Sequence, residues 1–596
     1  MRRRLVHAGV CLGLVAALAP AASAQTGGGR TLRVSLNGDE NNMTPFTVSF
    51  GATPYTHDLI LLVYDSLFWS QVSTDPEPWL AERATSANDF KEWTVTLRPN
   101  VTWHDGRPLT AEDVKFSFDY YAKFPGASGR YAHHVSDAPK LQSATVLDSR
   151  NVRLQYFEPT PTFRTMPGAD LPIIPKHLWE NVTDPARCTA DLPVGSGPYK
   201  VVEMLRDQRY RLEANANYFK GKPTIDRLEL PIVKDPAAAF AALRTGELDS
   251  VARNVPPELV EQFKSGGVEV AKGTKFESLQ MYFNALKAPL TDPKLRKAIA
   301  LGIDTKALVD TVLLGHGRPG LDTFIHPDSP WAMPNARHET DPAKAERMLD
   351  EAGYRTKDPD GVRKTPEGKR LEFSVLVSSF EPTDLRAVQL AAQQVARIGV
   401  KLNPEALDPA TLRTRRSGPP GQPPPYDAYM STLESHGHVD PDALYYFFHS
   451  PGPRGFGAAI SGYTNPAYDK IVEEATTKDV AARRPLLNEA QRILAEEAPV
   501  VVFYYPDGDY AYRPSAYNQW VSDKGHGIFT KRSFLPEYAK ENGSGQAAGG
   551  GATAASDDGG SGSGGVVFAV IAAALVLGGG ALLLSKRRRA ATDDDD

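Results

Sequence analysis

Near the C-terminus, Val566 to Leu584 carries no charged or strongly polar side chain, and this run constrains the chain more than any other stretch. Its 19 positions, at ~1.5 Å rise per residue, would span about 28 Å as a helix, close to the hydrocarbon thickness of a bilayer. Lys586 to Arg589 follow at once, and a basic cluster marks the cytoplasmic side. The chain ahead of the run is therefore expected outside the cell membrane, with residues 585–596 as a short inner tail. The N-terminus agrees. Arg2, Arg3 and Arg4 precede a mostly apolar stretch from Leu5 to Ala19, and Ala22-Ser23-Ala24 supplies small residues before Gln25. Residues 1–24 thus read as a secretory signal peptide, too short and wrongly flanked to be a stable span.

A lipid anchor would need a cysteine at the cleavage point, but Cys11 lies inside the apolar stretch. Cleavage leaves Cys188 alone, so no intrachain disulfide can staple the core. Glu541 to Gly565, rich in Gly, Ser and Ala, reads as a flexible linker with a reach on the order of 25–30 Å. Between signal and linker lie roughly 515 residues, and a single core rarely grows past ~250–300, so at least two lobes are expected. Formal net charge is -5, with no long basic stripe outside the termini, which makes nucleic acid a poor partner.

Local patterns point to interleaved helices and strands. Trp93 to Arg98 alternates in and out like a half-buried strand. His104-Asp105-Gly106 reads as a turn, and Thr110 with Asp113 resembles a capping box before a helix whose face carries Val114, Phe118 and Tyr121. Asp292-Pro293, Asp341-Pro342 and Asn465-Pro466 each set an acceptor at an N-cap and Pro at the first helical position. The second of these helices carries Ala345, Leu349 and Ala352 on one face and stops at Gly353. Asp384 to Ile398 is expected as a helix, and Leu371 to Val377, Val400 to Leu402 and Val500 to Tyr505 as strands. Arg415 to Pro425, rich in Gly and Pro, reads as a surface loop. The sum is an α/β chain of mixed sheets.

Several segments carry a resemblance. "WTVTLRPNVTWHDGRPLTAEDVKFSFDY" (Trp93 to Tyr120) resembles the signature of the family 5 extracellular solute-binding proteins, the peptide and nickel binders of ABC importers. "PVGSGPYKV", "ANYFKGKPTIDRLEL", "ALRTGELD", "YFNALKAPLTDPKLRKAIALGID" and "DPAKAERMLDEAGY" follow in the family's order. The resemblance covers about Thr31 to Leu535. It implies a two-lobed, hinged periplasmic-binding-protein fold (class II, cluster C type) with a third domain inserted in the first lobe. The corresponding boundaries are about 31–56, 172–278 and 503–540 for lobe I, 57–171 for the insert and 279–502 for lobe II, within a solute-binding domain of residues 25–540.

The resemblance also implies ligand contacts. Glu40, Asn41 and Asn42 stand in a stretch that helps line the cleft in peptide binders, Asn254 resembles a polar contact from lobe I, and Tyr131 an aromatic contact from the insert. Family peptide binders usually hold the peptide's ammonium with an aspartate four positions before the proline of an Asp/Glu-Pro step. Here that proline is Pro441 and the place is Gly437, while Glu434 replaces the usual aromatic residue three positions earlier. Glu434, His436 and Asp440 are the polar candidates in this segment, with Glu434 or Asp440 able to supply a carboxylate by another route. The bland reading of each is ordinary surface or loop packing. His133-His134 reads as a solvated pair.

A binding protein is the expected class, with a small-molecule or peptide ligand, an ABC permease as partner, no cofactor and a monomeric state. A secreted hydrolase would need a nucleophile–base pair or metal cluster, and the sequence holds no G-x-S-x-G, H-E-x-x-H or P-loop. A sensory receptor on the same fold would need more cytoplasmic sequence than residues 585–596.

Overall fold

The computed structural model describes residues 29–39, 43–46, 56–69, 73–124, 131, 140–187, 193–264, 266–273, 275–379, 382–417, 425–433, 442–450 and 461–542. The signal segment, nearly all of the linker, the 566–584 run, the tail and His133-His134 lie outside them. Among the described residues no helix is long and apolar enough to cross a membrane.

The strands, in chain order, begin with β1 (Thr31–Ser35), β2 (Phe68–Trp69), β3 (Glu77–Pro78), β4 (Ala81–Ala87), β5 (Glu92–Leu97), β6 (Leu141–Val146) and β7 (Asn151–Tyr156). Then come β8 (Tyr199–Leu205), β9 (Arg209–Ala214), β10 (Arg227–Pro231), β11 (Ser250–Val251), β12 (Glu269–Gly273) and β13 (Ser278–Phe283). The last are β14 (Gly317–Pro319), β15 (Glu372–Ser378), β16 (Lys401–Leu407), β17 (Ala428–Leu433), β18 (Val500–Pro506) and β19 (Gly508–Tyr512). Lobe I is built on a seven-stranded sheet, β12-β19-β11-β1-β10-β9-β8, and lobe II on a six-stranded sheet, β14-β18-β13-β17-β15-β16. The insert holds the four-stranded sheet β4-β5-β7-β6.

The local expectations trace to visible physics. Trp93, Val95 and Leu97 of β5 point into the core. Both halves of the Thr110–Asp113 capping box form, with Val114, Phe118 and Tyr121 buried on the following helix, Ala111–Lys123. Asp292, Asp341 and Asn465 each accept hydrogen bonds from the first turn of their helices, and Gly353 takes the left-handed conformation (φ 93) just past the second. The expected Asp384 to Ile398 helix runs Pro382–Ala396.

The chain changes from the seven-stranded to the six-stranded sheet between Gly273 and Ser278 and returns between Pro506 and Gly508. Val500 to Tyr505 offers no break, and the real punctuation is Pro506-Asp507-Gly508. The stretch expected as a loop from Arg415 starts as the end of a helix, Pro409–Ser417. There Arg415 grips both carboxylate oxygens of Glu405 at 3.0 and 3.1 Å, and Arg416 lies over the Tyr429 ring. The breakers begin only at Gly418, and residues 418–424 lie outside the described ones.

Packing divides the molecule unevenly. One hydrophobic core runs from Leu32 and Val34 of β1 through Leu97 and Phe118 of the insert to Leu212, Leu228 and Phe529. The insert is thus continuous with lobe I. Lobe II has its own two cores, one on each face of its sheet. Among the described residues, no core cluster draws on both lobes.

Candidate functional site: the cleft between the lobes

Strand directions decide where a ligand could sit. In lobe I, β1 runs parallel to both β10 and β11; in lobe II, β15 runs parallel to both β16 and β17. In open α/β sheets, ligands bind in the crevice outside the carboxyl ends of such strands. β19 is antiparallel to both β11 and β12, so β12 ends on the carboxyl side of β11. β13 is antiparallel to β17, so it starts on the carboxyl side of that strand. The return from β18 to β19 follows the same rule in reverse. Both crossings join carboxyl end to carboxyl end, and the two crevices form one cleft.

The residues singled out in the sequence come from segments that leave these ends. Asn254 stands three positions past β11. It is part-buried, and its Oδ1 is shut away from solvent without accepting a hydrogen bond. A buried acceptor left unmet costs roughly 1–3 kcal/mol, which a donor on a ligand would recover. Glu40, Asn41 and Asn42 follow β1, and Glu434, His436, Gly437 and Asp440 follow β17 after Leu433, but all seven lie outside the described residues. Tyr131 is fully buried. Its hydroxyl bonds to His57 Nδ1 at 2.8 Å, and its ring meets Tyr121 edge-on.

The crossings carry polar chemistry that sequence reasoning missed. Lys275 and Glu277, both nearly buried, pair within the first crossing. Between them Phe276 stacks on His326 of lobe II, ring centroids 4.2 Å apart, and the Lys524 ammonium of lobe I stands 6.0 Å from the Phe276 ring centroid. At the second crossing His316 of lobe II meets Asp509 of β19, Nδ1 to Oδ2, at 2.8 Å. Burial raises the Asp509 carboxyl above its ordinary range, against the pull of Lys272 and His316. A second ion pair joins the lobes, with Arg386 of lobe II reaching Glu258 of lobe I at 2.8 Å. Nothing in the text "GHGRPG" or "DGDY" links one to the other, because pairs this far apart in sequence are made only by the fold.

The His104-Asp105-Gly106 motif is a turn, as read. His104 Nε2 donates to Gly197 O at 3.0 Å and Nδ1 accepts from Gly195 N at 3.2 Å, which fixes one neutral tautomer. Burial pushes this imidazole down to about 4. Among the described residues, no group of three or more His, Cys, Asp or Glu is placed to hold a metal ion.

Two α/β lobes joined by two short crossings, sharing a cleft but no hydrophobic core, define the class of hinged solute-binding proteins. Within it, the chain belongs to the bacterial extracellular solute-binding proteins, family 5, whose middle region matches residues 75–455. Proteins of this family bind and do not catalyse. Relatives include the oligopeptide-binding protein AppA of Bacillus subtilis, 25% identical over 78% of this chain and 85% of that protein. Heme-binding protein A of Haemophilus influenzae is 26% identical over 73% of this chain and 80% of its own. Among solved structures, NikZ of Campylobacter jejuni in complex with Ni(L-His) superposes with a TM-score of 0.71 at 23% identity, covering 85% of this chain and 99% of that one. AppA with a bound nonapeptide gives 0.70 at 22% identity, covering 86% and 98%. At these identities the superpositions speak for the fold.

Proposed function

We propose that the protein is the extracytoplasmic receptor of an ABC importer, capturing a peptide-like or other small solute in the interlobe cleft and handing it to a permease. The observation that carries this reading is the cleft itself, with the unmet acceptor of Asn254 at one of its strand ends. Relatives named for oligopeptides and heme, and a structural neighbour holding Ni(L-His), support a small solute and leave its class open. Both walls of the cleft come from one chain, so a monomer suffices, and no cofactor is required. In this reading the signal peptide exports the chain, the 566–584 run holds it to the membrane and the linker lets it reach the permease.

Native mass spectrometry of protein purified without denaturation is expected to reveal a co-purified solute. Calorimetry with that solute then tests the contacts. Glu434→Gln is expected to weaken binding by roughly 2–5 kcal/mol if the carboxylate meets a cationic ligand group, since the change leaves a desolvated charge unpaired. Asn254→Ala is expected to cost about 1–2 kcal/mol, one hydrogen bond's worth. Equal affinities would remove either residue from the site. For topology, protease added to intact cells or spheroplasts should release a soluble fragment ending in the linker; a fully protected domain would overturn the tether.

A further inference from the structure

We propose that lobe II carries a second, small binding site at the end turned away from the cleft, and that it takes a free α-amino acid with an aliphatic side chain, bound as its zwitterion. The proposal goes beyond the receptor reading and does not depend on it, because no residue of the cleft takes part.

The site is a hollow of about 230 Å³ between the helices Thr305–Val312 and Pro382–Ala396, closed at one end by the start of the helix Pro342–Glu351. Its place follows from strand direction. The carboxyl end of β15 opens on the cleft, the helix Pro382–Ala396 runs back along the sheet, and β16 starts at Lys401, parallel to β15. Arg397 comes just before that start, so it stands at the amino ends of these strands, opposite the cleft. The hollow is smaller than the ~300–1,000 Å³ of pockets that hold drug-sized ligands, which suits a single small solute better than a peptide.

Two stripes of side chains line it. Asp304 caps one helix, and Ala307 stands one turn on; Leu390, Gln394 and Arg397 fall on one face of the other. The polar end is held in place from within. Gln394 is buried, and its Oε1 accepts from Asp304 N at 2.9 Å, which ties the two helices together there. Asp304 Oδ1 accepts from Ala307 N at 2.9 Å, and among the described residues no hydrogen bond or ion pair engages Oδ2. The neighbouring Lys306 is taken up by Asp310. Arg397 likewise makes no ion pair or side-chain hydrogen bond among the described residues.

One carboxylate and one guanidinium, not paired with each other, thus line a single hollow whose remaining wall is apolar at Ala307, Leu390 and Pro342. A simple anion would be repelled by Asp304 and a simple cation by Arg397. An uncharged solute would leave both charges unmet. A zwitterion answers both, with its ammonium on Asp304 Oδ2, its carboxylate on the Arg397 fork and its side chain on the apolar wall.

The test titrates L-valine into the full chain and follows binding by saturation-transfer difference NMR. N-acetyl-L-valine, which lacks the ammonium, and L-valinamide, which lacks the carboxylate, are run alongside. Contacts this exposed give a dissociation constant on the order of millimolar, and removing either charge of the solute is expected to weaken binding about two- to five-fold. Asp304→Asn keeps the helix cap, because Asn caps as well as Asp, and Arg397→Gln leaves the surface polar. Each should weaken L-valine by the same factor at an unchanged melting temperature. The analogues then assign the contacts: Asp304→Asn should not weaken N-acetyl-L-valine further, nor Arg397→Gln L-valinamide. Absence of L-valine binding, or equal affinity in both variants, would overturn the site. Loss of L-valine binding in Asn254→Ala but in neither of these variants would place the amino acid in the cleft instead and overturn it equally.

Discussion

Lobe I meets the insert and lobe II in opposite ways. Toward the insert it shares a continuous hydrophobic core, and at the seam lies a fully buried ion pair, Lys531–Asp65, at 2.6 Å. Trp79 and Tyr218 also donate to Asp65 Oδ1, Ser196 donates to its other oxygen, and Lys531 lies over the rings of Trp69 and Trp79. The pair draws on the insert, lobe I and the C-terminal segment together. Toward lobe II, among the described residues, no core cluster is shared; two short crossings, the Phe276–His326 stack and contacts between charged groups join the two. The first joint is built to hold and the second to move. The difference follows from what separates: opening a core exposes apolar area at ~25 cal/mol per Å², whereas parting an exposed pair such as Glu258–Arg386 returns it to water at little cost.

The contrast can be broken most forcefully at the buried pair. Lys531→Met leaves the buried Asp65 without its cation, and a broken buried pair typically costs about 3–5 kcal/mol. Urea unfolding followed by tryptophan fluorescence is expected to show that loss in lobe I and the insert together, in one transition. Separate unfolding of the insert would contradict a shared core.

Acidification probes the same joint. His104 belongs to the insert and bonds to Gly195 and Gly197, and its folded value lies near 4, below the ordinary 6.5. The unfolded chain therefore takes up this proton more readily than the folded one. The stabilisation is complete above about pH 6.5 and is lost as pH falls toward 4, amounting to at most roughly 3 kcal/mol. A His104→Gln variant should flatten this part of the pH–stability curve, and an unchanged slope would assign the loss to other groups. At the lobe–lobe joint the expectation is the reverse. Glu258→Gln should change global stability by less than about 0.5 kcal/mol, and a large fall in melting temperature would show that this exposed pair holds the fold after all.

Much of this design was legible in the chain. The Asp-Pro and Asn-Pro caps, the Thr110–Asp113 box and the period of β5 are local, so sequence neighbours suffice to specify them. Family text gave the lobes and the order of their parts. The change of sheet after β18 is hidden in its run of apolar residues until Pro506 breaks it. Tyr131 bonds through its hydroxyl to His57, 74 positions away, and packs its ring edge-on against Tyr121, a pairing that no local pattern announces.

What the sequence determined by itself was element types and the two-lobed class, because periodicity and caps act over a few residues and the family segments recur in order. The tertiary structure decided which lobe owns the insert, where the chain changes sheets and which charges face across the cleft. His316 with Asp509, Lys531 with Asp65 and Glu258 with Arg386 are separated by 193, 466 and 128 positions, respectively, and only the packed fold brings such partners within reach. Their energies depend on burial, which no local pattern encodes: the same kind of carboxylate–cation contact is dry and costly to break at Lys531–Asp65 and wet and worth little at Glu258–Arg386.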